Sequence, residues 1–215
     1  DLSGRADLDE VCSTMSDLAE VCVIAATRWA EAQAITLYGT PRDAQGRAQT
    51  LLVVGMGKLG GRELNVSSDI DLIFLYPEQG ETDGTRRLEN ADFFARVGRK
   101  IIALLNERTE DGFVFRVDMR LRPNGDAGPL ALSLDALENY FVAHGREWER
   151  YAWIKARPLT GQSNSDWPAL EAIRRPFVFR KYLDYATLEA MRQLHLRTTP
   201  PRTQSLLLWI RPLEL

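Results

Sequence analysis

The chain has 215 residues, of which 45% are hydrophobic and 27% are charged, and its formal net charge is −3. This composition is ordinary for a soluble globular protein that forms one domain, or one domain and part of a second. It excludes a globally basic surface, so nucleic acid is not an expected partner. No apolar run approaches the roughly 20 residues that a membrane span needs, so no membrane association is expected.

Cysteine and histidine are too few to suggest a metal centre built on them. Cys12 and Cys22 lie in one helical pattern without metal-ligand spacing, and we interpret them as core residues in a reducing compartment, the cytoplasm. Only His144 and His195 are present, which disfavours a histidine-based catalytic dyad or zinc site. The N-terminus has neither a signal-peptide pattern nor an initiator Met, which favours a piece excised from a longer protein.

The first part of the chain predicts one long helix. Apolar residues recur at three- and four-residue spacing from Leu8 to Trp29, which predicts an amphipathic helix over 7–38 that packs on a core. Gly39 and Pro41 end it, and a polar loop extends to residue 50. The apolar run 51–54 then predicts a strand that is buried on both faces.

A glycine-rich stretch follows this strand and allows two interpretations. Gly55, Gly57 and Gly60 match the dinucleotide-binding fingerprint, but only about eight residues separate Gly60 from the next predicted strand, 69–76. That gap is too short for the crossover helix of a Rossmann unit, and Lys58 lacks the spacing of a P-loop lysine. The alternative is a glycine turn, a short helix over 61–65 and a phosphate site that includes the acidic residues beyond.

Two of those acidic residues predict metal-assisted phosphate chemistry. Asp69 and Asp71 lie at positions i and i+2 of the strand, so both carboxylates leave one face, about 6.6 Å apart along it. Two divalent ions are commonly held by such a pair together with a third carboxylate. Asp118 is the candidate, because residues 113–121 alternate between an apolar face and a mainly charged face and so predict a second strand. Arginine binds phosphate in a bidentate way, and three arginines share the charged face of that strand: Arg116, Arg120 and Arg122.

The remaining segments read mainly as helices. We expect a loop over 77–86, a helix over 88–107 and a turn at 111–112. A helix N-capped by Ser133 is expected to reach residue 143, followed by a helix over 146–157. A linker over 158–168, a helix over 174–196 and a tail without clear period complete the chain.

Several of these motifs resemble a known family. Gly60-Gly61 followed by Asp69-Ile-Asp71 resembles the signature of the nucleotidyltransferase superfamily that includes polymerase β. More narrowly, four motifs in order are similar to the bifunctional glutamine synthetase adenylyltransferase/deadenylase family: Gly57-Lys-Leu-Gly-Gly61, Ser68-Asp-Ile-Asp-Leu72, Val117-Asp-Met-Arg-Leu-Arg-Pro123 and Trp148-Glu-Arg-Tyr-Ala-Trp-Ile-Lys-Ala-Arg157. The similarity runs to about residue 191, whereas the tail beyond it does not resemble the family.

The resemblance implies an α+β fold, that is, a mixed α/β polymerase β-like nucleotidyltransferase domain with a small mixed sheet. We therefore expect an N-terminal helical segment over 1–48, the nucleotidyltransferase domain over 49–160, and a partial helical domain with an atypical tail over 161–215. By the same resemblance, Asp69, Asp71 and Asp118 bind two Mg²⁺ or Mn²⁺ ions. The predicted phosphate-binding residues are Lys58, Gly60, Gly61, Ser68, Arg120 and Arg122.

The resemblance also implies an activity and partners. The residues in these motifs are similar to those of the N-terminal half of that enzyme. That half removes AMP from a tyrosine of glutamine synthetase by phosphorolysis and releases ADP. The alternatives are the ATP-dependent adenylylating half, and a truncated inactive fragment that only binds nucleotide or partner. The implied partners are glutamine synthetase as protein substrate and a PII-type signalling protein as regulator of the full-length enzyme.

Overall fold

The computed structural model describes residues 5–160, 166–179 and 192–193. The helices are α1 Leu8–Tyr38, α2 Gly57–Gly60, α3 Asn90–Asn106, α4 Leu134–Ala143, α5 Glu147–Ile154 and α6 Asp166–Val178. The strands are β1 Pro41–Asp43, β2 Leu52–Gly55, β3 Ile70–Tyr76, β4 Gly80–Thr82, β5 Val117–Asp118, β6 Ala131–Ser133 and β7 Arg157–Pro158. This arrangement confirms the predicted α+β class.

A five-stranded mixed sheet forms the centre of the fold. Its order is β5-β3-β2-β7, and β6 also pairs with β3. β2 runs antiparallel to β3, whereas β5 and β6 both run parallel to it. Strand β3 is therefore the central strand, and β5 and β6 pair with its first and last residues in turn.

The two central strands are buried on both faces, as the apolar runs predicted. On one face, Leu72 and Phe74 join a core that α1 and α3 cover. On the other face, Ile73 and Leu75 join a second core built with α4, α5 and α6. Alternate residues of one strand thus enter different cores, which is the period of two expected for an extended chain.

Helix α1 matches its predicted bounds because both ends carry clear signals. The Asp7 carboxylate accepts a hydrogen bond from the Glu10 amide (2.7 Å) and so caps the N-terminus. Gly39 ends the helix with φ of +85°, a value that favours glycine. Small residues on the inner face, such as Ala26 and Ala30, let the helix pack closely on the core.

The predicted strand over 113–121 is wrong for most of its length. Only Val117 and Asp118 pair with β3. Phe113 is 46% exposed instead of buried, and Phe115 and Met119 are the members of the apolar set that enter the core. The strand ends at Asp118 because its carboxylate accepts the Arg120 amide hydrogen (2.8 Å), a local bond that competes with strand pairing.

Other boundaries also differ from the sequence predictions. The short helix lies at 57–60 instead of 61–65, and the helix predicted over 146–157 ends at Ile154. Strands β1 and β4 form a small antiparallel pair in segments predicted as loops, and β6 was not predicted. Helix α6 begins at Asp166, inside the predicted linker. Most of the predicted 174–196 helix and the whole tail lie outside the described residues, and the division into three domains stays a prediction.

Within the described ranges, no helix combines the length and the apolar character needed to cross a membrane.

Glu31 of α1 provides a test of how the helix is fastened to the sheet. Its carboxylate accepts a hydrogen bond from the Leu51 amide (2.8 Å), and burial raises its pKa from an ordinary 4.5 to about 7. The folded chain therefore keeps a proton between pH 4.5 and 7 that the unfolded chain releases. The stability that protonated Glu31 contributes is complete below pH 4.5 and is lost as pH rises through 7.

We expect Glu31→Gln to remove this pH dependence, because the amide oxygen still accepts the Leu51 hydrogen but carries no charge. At pH 8 the variant should be more stable than the parent by about 1–2 kcal/mol, and near pH 4.5 the two should be similar. Urea unfolding at both pH values measures the difference. Exposed Glu138 supplies the control, since Glu138→Gln should leave the pH profile unchanged, and a profile unaltered by Glu31→Gln would contradict the assignment.

Candidate active site

Strand pairing brings two of the predicted carboxylates side by side. β3 and β5 are parallel, with Ile70 opposite Val117 and Asp71 opposite Asp118. Asp69 immediately precedes β3 and lies two residues before Asp71. Ile70 and Leu72 are fully buried, so the intervening side chains enter the core as predicted. The fold therefore gathers at one sheet edge the three aspartates that the sequence singled out.

Asp71 is the most constrained of the three. Its pKa is raised to about 6, first by burial and then by the nearby negative charges of Asp118 and Asp69. The positive charges of Arg120 and Lys58 oppose this increase. An additional positive charge nearby would stabilise the ionised form of Asp71, because it would offset the repulsion among the three carboxylates.

The other two aspartates each bind an arginine. Arg120 donates from Nε and Nη2 to Asp118 Oδ2 (2.8 and 2.5 Å), and these bonds hold the pKa of Asp118 below its usual range. Arg116 donates from Nε to Asp69 Oδ1 (2.5 Å) and from Nη2 to the Ser67 carbonyl (2.6 Å). Both arginines are largely exposed, so the pairs are accessible to solvent.

The three carboxylates are chemically suited to a divalent cation. Hard cations such as Mg²⁺ and Mn²⁺ prefer oxygen ligands, and like-charge crowding at Asp71 is the electrostatic condition that such an ion relieves. Among the residues that the structure describes, no group of three or more His, Cys, Asp or Glu side chains is placed to hold a metal ion. The carboxylate oxygens are thus of the type that a hard cation prefers, but those of Asp69 and Asp118 accept hydrogen bonds from arginines.

Gly57 lies close to the carboxylate of Asp71, a proximity that the sequence did not indicate. A Cβ atom added to Gly57 would lie 2.7 Å from Asp71 Oδ2, and the φ of this residue is +53°. Both features favour glycine. The sequence marked the residue as part of a turn, but nothing in its pattern indicated a contact with a carboxylate 14 positions later.

The predicted phosphate-binding residues on the glycine side fall into two groups. Lys58 Nζ donates to Ser68 Oγ (3.1 Å), and Ser68 donates onward to Asn65 Oδ1 (2.7 Å), so Lys58 and Ser68 lie together. The amides of Gly60 and Gly61 donate instead to the carbonyl oxygens of residues 56 and 57 (3.0 and 3.1 Å). These two amides close α2.

Arg122 acts on the cluster through its charge, which helps to lower the pKa of Asp118. Its side chain is buried, and Nη1 donates to the Met119 carbonyl (2.7 Å) and more weakly to Asp126 Oδ1 (3.4 Å). These contacts stabilise the turn that follows β5. In the described part of the chain, the guanidinium is not among the groups that line the neighbouring cleft.

An open cleft of about 460 Å³ adjoins the cluster. It is lined by Asp69, Asn106, Arg116, Val117, Asp118, Met119, Arg120 and Asp126. Asn106 and Asp126 were not predicted, because one is the last residue of α3 and the other belongs to a short 3₁₀ turn, and neither position stands out in the sequence. The cleft has the size of a site for a small molecule or a side chain.

A small mixed sheet with paired aspartates beside a glycine turn defines an α+β domain of the nucleotidyltransferase type. Comparison with known proteins narrows the class. The chain belongs to the glutamate-ammonia ligase adenylyltransferase family, whose model matches residues 1–172.

Individual relatives agree with the family. The chain is 60% identical over 195 residues to the bifunctional glutamine synthetase adenylyltransferase/adenylyl-removing enzyme of Aromatoleum aromaticum. Proteins of the same name from Thioalkalivibrio sulfidiphilus and Chromobacterium violaceum are 57% and 59% identical over 194 and 196 residues. The matches cover 90% or 91% of this chain and 20% or 21% of each relative, so the chain spans about a fifth of their length.

Adjacent glycines in the turn should differ sharply in their tolerance of a side chain. A Cβ atom on Gly60 would lie 1.9 Å from the Lys155 carbonyl oxygen, which is backbone, whereas one on Gly61 would meet side-chain atoms at 3.2 Å or more. We expect Gly60→Ala to lower the free energy of unfolding by about 3 kcal/mol or more, because α2 must move away from the backbone of Lys155. Gly61→Ala, the matched control, should stay within about 0.5 kcal/mol.

Denaturant unfolding of the two variants measures this difference. Equal stabilities would show that the close approach of α2 to residue 155 does not constrain the fold.

Proposed function

We propose that this domain removes AMP from an adenylylated tyrosine of glutamine synthetase by phosphorolysis, in the cytoplasm. The juxtaposition of Asp71 and Asp118 on paired strands, with Asp69 two residues away, is the observation that carries the proposal. The names of the relatives, which include an adenylyl-removing activity on glutamine synthetase, support the substrate. The direction rests on the residues of the motifs at 55–58, 117–120 and 151–155, which are similar to those of the deadenylylating half of the family.

The three aspartates would hold two divalent cations, Mg²⁺ or Mn²⁺. When bound, such ions supply positive charge to the attacking and leaving oxygens of an in-line displacement at phosphorus. Asp71 is suited to this role because it is partly buried and crowded by the two other carboxylates. Asp69 and Asp118 would exchange their arginine partners for the cation, which leaves two guanidinium groups at the edge of the cleft.

The basic side chains would then bind the phosphate oxygens of the two substrates. Arg120 and Arg116 line the cleft and are exposed, and each presents a planar fork that matches two phosphate oxygens. Lys58 and Ser68 lie on the glycine side and would contact the adenylyl phosphate. The proposed phosphate-binding set also includes Gly60, Gly61 and Arg122. These residues lie close to the turns and would have a supporting role in phosphate binding.

The reaction balances without a covalent intermediate on the enzyme. An oxygen of inorganic phosphate forms a bond to the adenylyl phosphorus while the bond from that phosphorus to the tyrosine oxygen breaks. ADP leaves with the new phosphoanhydride, and the phenolate of the tyrosine takes up a proton from solvent. The chain's part is to align the two phosphates and to offset their repulsion, which is the usual contribution of a protein to phosphoryl-type transfer.

A second candidate is a fragment that binds nucleotide or protein partner without turnover. The arginine pairs on Asp69 and Asp118 favour it, because these pairs compete with a cation for the same oxygens. The adenylylating direction is the remaining alternative, since it uses the same residues. A PII-type protein acting as regulator belongs to the proposal for the full-length enzyme.

Removal of either central charge should abolish the reaction. In the full-length enzyme, Asp71→Asn and Asp69→Asn should reduce ADP formation from adenylylated glutamine synthetase and phosphate by at least about 100-fold, because the charge stabilisation of the transition state is lost. The matched control is Asp92→Asn on the exposed first turn of α3, which should keep the parental rate. Retention of ADP formation in the Asp71 variant would reject the assignment.

Two further measurements separate the alternatives. If the Asp71 variant loses ATP-dependent AMP incorporation but keeps ADP formation, this domain works in the adenylylating direction. If the 215-residue chain binds Mg-nucleotide in calorimetry but shows no turnover, the binding fragment is the correct description.

A further inference from the structure

We propose that Arg157 is a positioning residue that holds the glycine turn against the aspartate cluster, with Glu20 of α1 as its anchor. The consequence for catalysis rests on the function proposed above, whereas the mechanical part concerns the fold alone.

Arg157 contacts the end of α2 and the first helix at the same time. Its Nε donates to the Gly60 carbonyl (3.2 Å) and Nη2 donates to the Leu59 carbonyl (3.3 Å). Nη1 donates to Glu20 Oε2 (2.6 Å). The backbone of Arg157 is itself held, because it pairs with Gly55 in β2. One side chain thus joins the sheet, the turn and α1.

The two carbonyl groups lie at the end of α2, which is only four residues long, and the Leu59 carbonyl also accepts the Arg62 amide hydrogen (3.2 Å). Carbonyls at the C-terminal end of a helix carry a partial negative charge and accept additional donors. A guanidinium group supplies several N–H donors in one plane together with a positive charge, so it can satisfy both carbonyls and a carboxylate. A lysine has a single nitrogen and cannot donate to three acceptors that surround a planar guanidinium group.

The pair of Arg157 and Glu20 is shielded from water. The two side chains are 23% and 17% exposed, in contrast to the ion pairs of Arg116 and Arg120 at the cleft, where the arginines are 53% and 74% exposed. Shielded pairs with good geometry lose more when one partner is removed than exposed pairs do. Removal of either partner of the Arg157–Glu20 pair is therefore expected to destabilise the position of the glycine turn.

A movement of the glycine turn would change the surroundings of Asp71. Gly57, the first residue of α2, lies so close to Asp71 that a single added carbon would meet its carboxylate at 2.7 Å. Lys58, the next residue, contributes to the field at Asp71 and bonds to Ser68. If the far end of this four-residue helix loses its support, both contacts change.

A purely structural role is the alternative, and α6 supplies the control for it. Arg174 also pairs with a glutamate, Glu171 (2.7 Å), and also donates to a backbone carbonyl, that of Trp153 (3.0 Å). Its side chain and that of Glu171 are 14% and 24% exposed, close to the values for Arg157 and Glu20. Arg174 differs in that it does not contact the glycine turn.

The first experiment compares amide hydrogen exchange in the 215-residue chain. The Gly60 and Gly61 amides donate to the carbonyls of residues 56 and 57, so their exchange reports the closure of α2. We expect Arg157→Lys to accelerate exchange at these two amides by about tenfold or more, since the hydrogen bonds that the guanidinium donates to the Leu59 and Gly60 carbonyls are lost. Arg174→Lys should leave them unchanged. Equal exchange in the two variants would overturn the proposal.

Glu20→Gln tests the anchor separately. It keeps a hydrogen-bond acceptor for Arg157 but removes the charge, so exchange at the same two amides should accelerate to a smaller extent. If exchange in this variant matches the parent chain, Glu20 is not the anchor.

The second experiment uses the full-length enzyme and adds a kinetic measurement. We expect Arg157→Lys to lower kcat/KM for phosphate-dependent ADP formation by about tenfold or more, and Arg174→Lys to stay within about twofold at a similar loss of thermal stability. Comparable kinetic losses in both would overturn the positioning role. If the parent enzyme forms no ADP, the proposed function fails, and the exchange experiment still decides the role of Arg157.

Discussion

The parallel pairing of β3 with β5 places Asp71 opposite Asp118, and this placement of two negative charges on neighbouring strands dominates the site. Two carboxylates on adjacent strands repel each other, and burial of one of them adds to the cost. The raised pKa of Asp71 and the lowered pKa of Asp118 are the two responses. One aspartate resists ionisation, and the other is stabilised by Arg120. The basic side chains around the cleft make this arrangement tolerable in the folded chain.

The two hydrophobic cores fix the register that this pairing requires. Phe74 enters the core under α1 and α3, while Ile73 and Leu75 enter the core under α4 to α6. A slip of β3 by one residue would exchange the two sets and turn Asp71 toward a core. The cost of burying that carboxylate without a partner is several kcal/mol by general experience. Burial of a strand on both faces therefore determines where the aspartates can appear, even though neither core contains a functional group.

The sequence predicted this fold where a local pattern and the tertiary environment agree. Strong apolar runs predicted the strands up to residue 55 and from residue 70, and the apolar periodicity with the break at Gly39 and Pro41 predicted the bounds of α1. The prediction failed over 113–121, because a regular alternation of residue types there is not matched by burial, and the Asp118 side chain competes for the backbone.

The pairing of Asp71 with Asp118 shows the same division within the candidate site. The sequence predicted the three aspartates as a group, and the fold brings them together, although their role as ligands stays a prediction. The contacts of Gly57 and Arg157 could not be predicted, since each joins residues far apart in sequence. Gly57 lies beside Asp71 because it has no side chain, and Arg157 donates to backbone carbonyls. Such contacts leave no periodic trace in a single sequence.

In the proposed mechanism, charge balance at the cleft would couple the binding of phosphate to the binding of a cation. Four carboxylates face four basic side chains, namely Asp69, Asp71, Asp118 and Asp126 with Lys58, Arg116, Arg120 and Arg122. The cluster is close to neutral when all eight groups are ionised, so a phosphate that arrived alone would draw arginines from the aspartates and leave those carboxylates uncompensated. A divalent cation that arrived alone would leave guanidinium groups without partners. In the proposed mechanism each ligand would thus lower the cost of binding the other, and such a coupling is reciprocal in equilibrium binding.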